Sequence, residues 1–507
     1  MPRTPLCSSP AARGATVSPV SRDEATLGRM TSREYDLIVI GAGPVGENVA
    51  DRATQGGLSV VVVESELVGG ECSYWACIPS KAMLRAGAAL SAARRVRGAA
   101  AAVTGTVDVA ATLVRRDELV HHWDDTSQVD WLHGAGIDLV RGHGRLTGER
   151  EVTVTDADGG ETVLTARHAV AISTGSAALL PDIPGLREAQ PWTSREATGV
   201  RDVPSSLAVL GGGVVGSEMA TLFTSFGTTV TVVARSGLLR GVERFAGEAV
   251  AKALADAGAE VRTGVEVEKV SRDSDTDGGG NGEVVLSLSD GSEVRAAEVL
   301  VATGRVPRTS DIGLEVVGLQ PGSWLDVDDT LRVRGVDWLY AVGDVNHRAL
   351  LTHQGKYQGR AAGDVIAARA RARDIDDAPW GAHVATADHA AVPQVVFTDP
   401  EVAAIGHTEE SARAAGLDIR VIDYDLSWLA GSSELADDYR GRARAIVDEK
   451  RRVLVGATFV GQDVGEMLHA ATIAIVGEVP IERLWHAVPS YPTISEVWLR
   501  WLEEYGR

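Results

Sequence analysis

The chain has 507 residues, 44% of them hydrophobic, enough for three or four domains and a sizeable buried core. Its net charge of −21 excludes nonspecific binding to nucleic acid or to an anionic membrane, because both require basic surface. Three cysteines make no disulfide framework and point to a reducing cytoplasm, and no apolar run approaches the roughly 18 residues that span a bilayer.

Residues 1–33 are rich in Ser, Pro, Ala and Arg and lack the hydrophobic stretch of a signal peptide. They read as a disordered extension in which Cys7 is incidental, and Met30 offers an alternative start. Tyr35–Ile40 is then a β-branched run that predicts a strand. It leads into Gly41-Ala-Gly43-Pro44-Val-Gly46, a helical stretch through Arg52, and a second strand over Ser59–Val63 that ends at Glu64. Each part has a task in holding a dinucleotide. Gly41 makes the tight turn, Gly43 lets backbone amides approach a pyrophosphate, and Gly46 lets the helix pack on the sheet. Glu64 can accept hydrogen bonds from ribose hydroxyls.

Directly after this unit comes Gly-Gly70-Glu71-Cys72-Ser-Tyr74-Trp75-Ala76-Cys77-Ile-Pro79-Ser-Lys81. Positions five apart in a regular helix lie about 8–9 Å apart, beyond the reach of a disulfide, so a bonded pair requires an irregular turn before the helix starts. Pro79 suits the first turn of that helix, and a thiolate at a helix start is stabilised by the dipole. Without companion Cys or His at ligand spacing the pair is a poor zinc site, and a redox pair is the expectation; no metal site is expected. Further on, His121 and His122 fall in a predicted helical stretch, where neighbours point about 100° apart and make poor joint ligands.

The nucleotide pattern recurs as Leu207–Leu210, Gly211-Gly-Gly213-Val214-Val215-Gly216-Ser-Glu218, a helix, and a strand over Thr229–Val233. Two such units imply two dinucleotides, most economically a flavin and a nicotinamide. The second strand ends in Ala234-Arg235, with Arg240 close behind, where a carboxylate would read the ribose of NAD. Guanidinium groups there suit a 2′-phosphate and favour NADPH, with NADH as the weaker possibility. Asp273–Glu283 is rich in Asp and Gly and predicts a mobile hairpin loop.

Beyond both glycine fingerprints the chain carries Ile172-Ser-Thr174-Gly175-Ser, Val301-Ala-Thr303-Gly304-Arg305-Val-Pro and Leu339-Tyr-Ala-Val-Gly343-Asp344-Val. It also carries Val395-Val-Phe-Thr-Asp-Pro400-Glu401-Val-Ala and Pro492-Thr493-Ile-Ser495-Glu496. In these phrases, from about Tyr35 to the C-terminus, it resembles the FAD-dependent pyridine nucleotide–disulfide oxidoreductases, relatives of dihydrolipoamide dehydrogenase, glutathione reductase and mercuric reductase. The resemblance implies an α/β fold with two Rossmann-like dinucleotide-binding domains and an α+β C-terminal dimerisation domain. The FAD-binding domain would comprise residues 34–190 and 306–385, the NAD(P)-binding domain 191–305, and the dimerisation domain 386–507. A homodimer would share its active site across the interface.

The resemblance further implies roles for single residues. Asp344 would hold the flavin ribityl chain, Thr352 would lie near the flavin ring, and Lys81 would pair with Glu218 beside it. Cys72 would be the interchange thiol facing substrate and Cys77 the thiol facing flavin. Hydride would pass from NADPH to FAD, then electrons to the Cys77 sulfur. Ser65, Gly70, Glu71, His143, Thr174 and Gly175 would join Gly41, Gly43, Pro44, Gly46 and Glu64 around FAD. Gly211, Gly213, Val214, Val215, Gly216 and Gly304 would join Arg235 and Arg240 around the nicotinamide nucleotide.

The chain also departs from these relatives. Disulfide reductases place a histidine before the Pro-Thr motif as an acid–base reaching across the dimer; here Tyr491 stands there. A phenol cannot take up a proton at neutral pH as imidazole does, which lowers the expectation for dihydrolipoamide or glutathione. Glu496, which would orient that histidine, remains and is expected to hydrogen-bond elsewhere. A tyrosine there resembles mercuric reductases, but the chain lacks their paired C-terminal cysteines. Glu71 replaces a usual threonine, and Tyr74-Trp75-Ala76 replaces Asn-x-Gly. These rings would either cover the thiols as a stacking surface for a flat acceptor or simply pack. The leading expectation is an NADPH-dependent FAD enzyme with an active dithiol that reduces a small-molecule acceptor: a disulfide, a quinone-like compound or a metal species. The alternative is a diaphorase in which flavin alone reduces quinones and the cysteines are dispensable.

Overall fold

A computed structural model of the chain describes residues 31–273 and 282–506. A seven-stranded sheet is built on two apolar runs. Residues Leu37–Ile40 and Val60–Val63 pair in parallel at its centre, with almost no exposed surface, as strands covered on both faces must be. Outward from this pair the order runs to Asp138–Arg141 on one side and to Glu161–Ile172 on the other. The long Glu161–Ile172 strand then serves two partners along its far edge. Its first half pairs antiparallel with Glu151–Thr155, and its last residues pair in parallel with Leu339–Ala341. That short strand brings in a chain segment from far downstream, and one apolar core runs through both segments, from Leu37 to Val345 and Ile366.

Between the two segments a second unit forms its own parallel sheet, ordered 260–263, 229–234, 206–210, 298–301. An antiparallel layer of Val267–Arg272, Val284–Leu288 and Glu293–Ala296 accompanies it. Each parallel sheet feeds a helix through a glycine turn, Pro44–Gln55 in the first unit and Val214–Ser225 in the second. A Cβ on Gly46 would fall 1.9 Å from the carbonyl oxygen of Gly41, and one on Gly216 would fall 2.1 Å from that of Gly211. Each helix can start only because that side chain is missing. The C-terminal region is α+β: a five-stranded antiparallel sheet, with the rings of Phe459 and Trp501 tilted against each other, 5.2 Å between centroids, in its core. The molecule is thus α/β with two Rossmann-like units and an α+β C-terminal domain.

Three expectations need correction or limits. The first strand begins at Thr31, not at Tyr35, so residues 31–33 of the expected extension belong to the sheet, where they pair with Thr162–Leu164. The remainder of that extension, with Cys7 and Met30, lies outside the described residues. His121 and His122 are not α-helical: the preceding α-helix ends at Leu119, and they open a three-residue 3-10 turn, His121–Trp123, with left-handed φ of 50° and 52°. Most of the Asp273–Glu283 loop also lies outside the described residues, although the strands flanking it do pair antiparallel.

Candidate active site

A cleft of about 1360 Å³ runs from the glycine turn of the first unit, past both cysteines, to the glycine turn of the second. The thiol segment approaches it through two helices. Gly70–Tyr74 forms a single turn, Trp75 and Ala76 leave helical geometry, and Cys77–Arg94 begins afresh. This break is the irregular turn that the five-residue spacing demanded. It folds Cys72 back until its thiol hydrogen-bonds Cys77. Both are free thiols in this structure.

Proton sharing within the pair is unequal. The hydrogen bond from Cys72 holds the Cys77 thiol down to about 6, with help from Thr352 and the Lys81 ammonium, against the penalty of burial. The same bond pushes the Cys72 thiol well up, and burial adds to this. Cys77 is the first residue of an 18-residue helix, a position that favours a thiolate. Its sulfur lies 3.4 Å from the Thr352 hydroxyl. One helical turn on, Lys81 Nζ meets Glu218 Oε2 at 2.6 Å, and the backbone N–H of Phe397 donates to the other oxygen of the same carboxylate. Glu218 is nearly fully buried, so the lysine is what keeps its charge tolerable.

Along the first unit, the cleft is lined by Gly41, Gly43, Pro44, Glu64, Ser65, Gly70, Glu71, His143, Thr174, Gly175, Asp344 and Thr352. Glu64 is fixed by the backbone N–H groups of Ala42 and Glu66, at 2.7 and 2.8 Å. Burial pushes its carboxyl up from the ordinary range, and these amides oppose that. Asp344 accepts a hydrogen bond from the Ser176 hydroxyl, and His143 Nε2 lies 2.6 Å from the carbonyl oxygen of Asp311. The second unit contributes Gly211, Gly213, Val214, Val215, Arg235, Arg240 and Gly304. A Cβ on Gly213 would meet no protein atom within 4 Å, and one on Gly175 would also project into open cleft. Space kept clear beside two helix N-termini fits two pyrophosphates. Arg235 and Arg240 stand exposed at the rim, with Arg235 Nε 3.9 Å from Glu266. Gly46 and Gly216 do not line the cleft; they pack the helices behind it.

Two candidates, Tyr491 and Glu496, are not among the residues that line the cleft of this subunit. Tyr491 is 75% exposed, at a Tyr491–Pro492 cis peptide, and the Glu496 carboxylate pairs with Arg500 one turn along its own helix. His486 is likewise exposed. The rings of the thiol phrase take part in packing: Tyr74 is buried, and the Arg195 guanidinium lies over the half-buried Trp75 ring at 4.0 Å. Arg195 also pairs with Glu71 and Glu66, at 3.0 and 2.8 Å, and Arg308 approaches Glu71 at 3.3 Å. This cluster explains the carboxylate in place of threonine, and sequence reasoning missed it. Arg308 closes the Gly304-Arg-Val-Pro phrase and could have been suspected. Arg195 lies more than a hundred residues from Glu71 and gave no local signal.

Residues 35–359 match the pyridine nucleotide-disulphide oxidoreductase family, and residues 392–501 match the dimerisation domain of the same family. The chain belongs to that family. It is therefore an oxidoreductase, FAD-dependent and served by a pyridine nucleotide, with a dimerisation domain at its C-terminus. Among its relatives are a dihydrolipoyl dehydrogenase of Halobacterium salinarum, 32% identical over 91% of this chain and 94% of that protein, and a mercuric reductase of Shigella flexneri, 33% identical over 92% and 80%. The HOCl-induced flavoprotein disulfide reductase RclA from Escherichia coli, solved as a Cu(II) complex, shares the fold. Its TM-score is 0.78 at 24% identity, over 94% of this chain and all of that one. No described helix is long and apolar enough to cross a membrane.

Proposed function

We propose that this oxidoreductase uses NADPH to drive a Cys72–Cys77 dithiol relay, which reduces a small-molecule acceptor, in a cytoplasmic homodimer whose two subunits share each active site. The observation that carries the reading is the asymmetric thiol pair: a stabilised Cys77 thiolate against Thr352 and Lys81, and a protonated Cys72 beside it. When bound, FAD supplies the ring that takes electrons from the nicotinamide and exchanges them with the thiol pair.

The chain's own residues do the rest. The amides at the two helix N-termini and the carboxylate of Glu64 hold the dinucleotides, and Arg235 with Arg240 receives the 2′-phosphate. Lys81, held by Glu218, keeps positive charge beside Cys77 so that this sulfur loses its proton first. Cys72 retains the proton until an acceptor arrives, then attacks it, and Cys77 closes the disulfide behind it. Acceptors in keeping with this chemistry are disulfides, quinone-like compounds and soft metal species. Glu71, tied to Arg195 and Arg308, orients the segment that carries Cys72.

Anaerobic titration with NADPH tests the relay. The wild type is expected to take up a second electron pair and to develop a long-wavelength thiolate–flavin band, both lost in Cys77→Ser. One observation favours a diaphorase instead: Tyr491 is exposed, and among the described residues of this subunit no histidine hydrogen-bonds Cys77, whose partner is Thr352. Under that reading Cys77→Ser keeps full quinone turnover and the wild type bleaches with a single pair. An acceptor panel of lipoamide, glutathione disulfide, quinones and mercuric ion, run beside Tyr491→His, then names the class; the histidine is expected to raise weak disulfide turnover.

A further inference from the structure

Between the two thiols, regular helix geometry runs out. In a continuous helix the Trp75 carbonyl would accept the N–H of residue 79, but Pro79 has none, and among the described residues no backbone N–H bonds this carbonyl. A carbonyl withdrawn from water needs a partner. Side chains from two distant segments supply partners to the turn. The Thr198 hydroxyl donates to the Trp75 carbonyl at 2.8 Å, and the Trp123 indole N–H donates to the Tyr74 carbonyl at 3.2 Å. The same hydroxyl lies 2.9 Å from the Ser194 carbonyl, one turn back in its own helix, where helical geometry already provides an N–H. Trp123 closes a run of three residues with left-handed backbone, φ 50°, 52° and 59°. Such strain persists only where the surroundings hold it.

One side chain holds both of these donors. Arg116, on the Val109–Leu119 helix, is 1% exposed. Its guanidinium donates to the carbonyls of Thr198 and Val200, the latter at 2.9 Å, and lies 5.3 Å from the centre of the Trp123 ring. Asp117 balances the charge at 2.6 Å. Burying a guanidinium is unfavourable unless its N–H groups are met, and here they are met by the two segments that cap the turn. Arg116 does not line the cleft, whereas Thr198 does.

We propose that Arg116 is a positioning residue for the thiol pair: through Thr198 and Trp123 it keeps the Tyr74–Ala76 turn bent and so favours the Cys72–Cys77 disulfide over the dithiol. The inference rests on the dithiol reading above. An S–S bond fixes the turn in its bent form, so the carbonyls of Tyr74 and Trp75 must find their partners there. The dithiol is free to unbend toward water. Loss of a cap therefore falls mainly on the disulfide form. A pair that closes readily also gives up its electrons readily, as a donor to an acceptor must.

Holoenzyme equilibrated without oxygen in mixtures of reduced and oxidised dithiothreitol tests this. In the exchange the S–S bond of the cyclic oxidised reagent breaks and the Cys72–Cys77 bond forms, two electrons and two protons passing from the protein thiols to the reagent. After free thiols are alkylated, the mass of the proteolytic peptide carrying both cysteines gives the disulfide fraction. Thr198→Val should need an oxidised-to-reduced ratio about tenfold higher for half-conversion, the scale of one unmet carbonyl, and Thr198→Ser should match the wild type. Trp123→Phe should shift the midpoint about threefold, because its bond is the longer one. Arg116→Met should shift it at least as far as Thr198→Val. Should that variant not fold, Arg116→Lys, which keeps the charge but not the fork that reaches both carbonyls, should show the same direction. Unchanged midpoints in Thr198→Val and Arg116→Lys, with lowered resistance to denaturant as the only effect, would mean plain packing and overturn the proposal. A Thr198→Ser displaced as far as Thr198→Val would overturn it too. If the dithiol reading itself fails, NADPH raises no thiolate–flavin band in the wild type and the proposal falls with it, an outcome distinct from a band that forms beside a midpoint indifferent to the caps.

Discussion

In the first nucleotide unit a Cβ on Gly41 would fall 2.5 Å from the carbonyl oxygen of Ser173; in the second, one on Gly211 would fall 2.3 Å from that of Ala302. Both glycines have positive φ, 101° and 114°, and both turns open onto the same cleft. The backbone solution is shared to within a few tenths of an ångström. The chemistry that follows is opposite. The first unit ends in Glu64, half-buried and held by two backbone amides, whereas the second ends in Arg235, exposed and loosely near Glu266. The first also runs straight into the thiol segment, so that its nucleotide site and redox pair share one wall. A fold can thus be duplicated while the side chain at one strand end differs in charge and exposure between the copies.

Substituting the two turns separately should give the largest contrast. Gly41→Ala is expected to yield protein without bound FAD, or none that folds, measured as flavin absorbance per chain. Gly211→Ala is expected to remain yellow but to lose reduction by NADPH. If Gly211→Ala also emptied the flavin site, the units would not be separable.

Next in size is Lys81→Met, which leaves the Glu218 carboxylate buried and uncompensated. Loss of a buried partner typically costs about 3–5 kcal/mol, and because Lys81 is 35% exposed the expected loss on chemical denaturation is about 2 kcal/mol. The thiolate band should weaken in the same variant. A full-strength band would remove Lys81 from the account of Cys77.

A pH titration of the reduced enzyme should reveal the unequal thiols. Cys77 is held down to about 6, so its thiolate is populated above that pH and lost as pH falls through it; an ordinary cysteine would lose its charge near 8.5. A band that fades already between pH 9 and 8 would contradict the arrangement. The smallest effect belongs to the rim: Arg235→Ala should weaken NADPH about tenfold and leave NADH almost unchanged, the scale of one charge-assisted hydrogen bond. Equal loss with both nucleotides would mean that Arg235 does not read the phosphate.

Local order in this chain determined a good deal. Strand, glycine turn, helix and terminal side chain follow one another within some thirty residues in each unit, and backbone sterics leave such a phrase a single way to fold. A disulfide between Cys72 and Cys77 would likewise require a broken helix, and Trp75 and Ala76 provide the break. Only tertiary structure decided the groups that meet from distant segments. Arg195 on Glu71 and Phe397 on Glu218 are assembled by sheet pairing and helix crossing. Burial and the field of neighbouring charges set the protonation of Cys77, and both depend on distances that chain order does not contain.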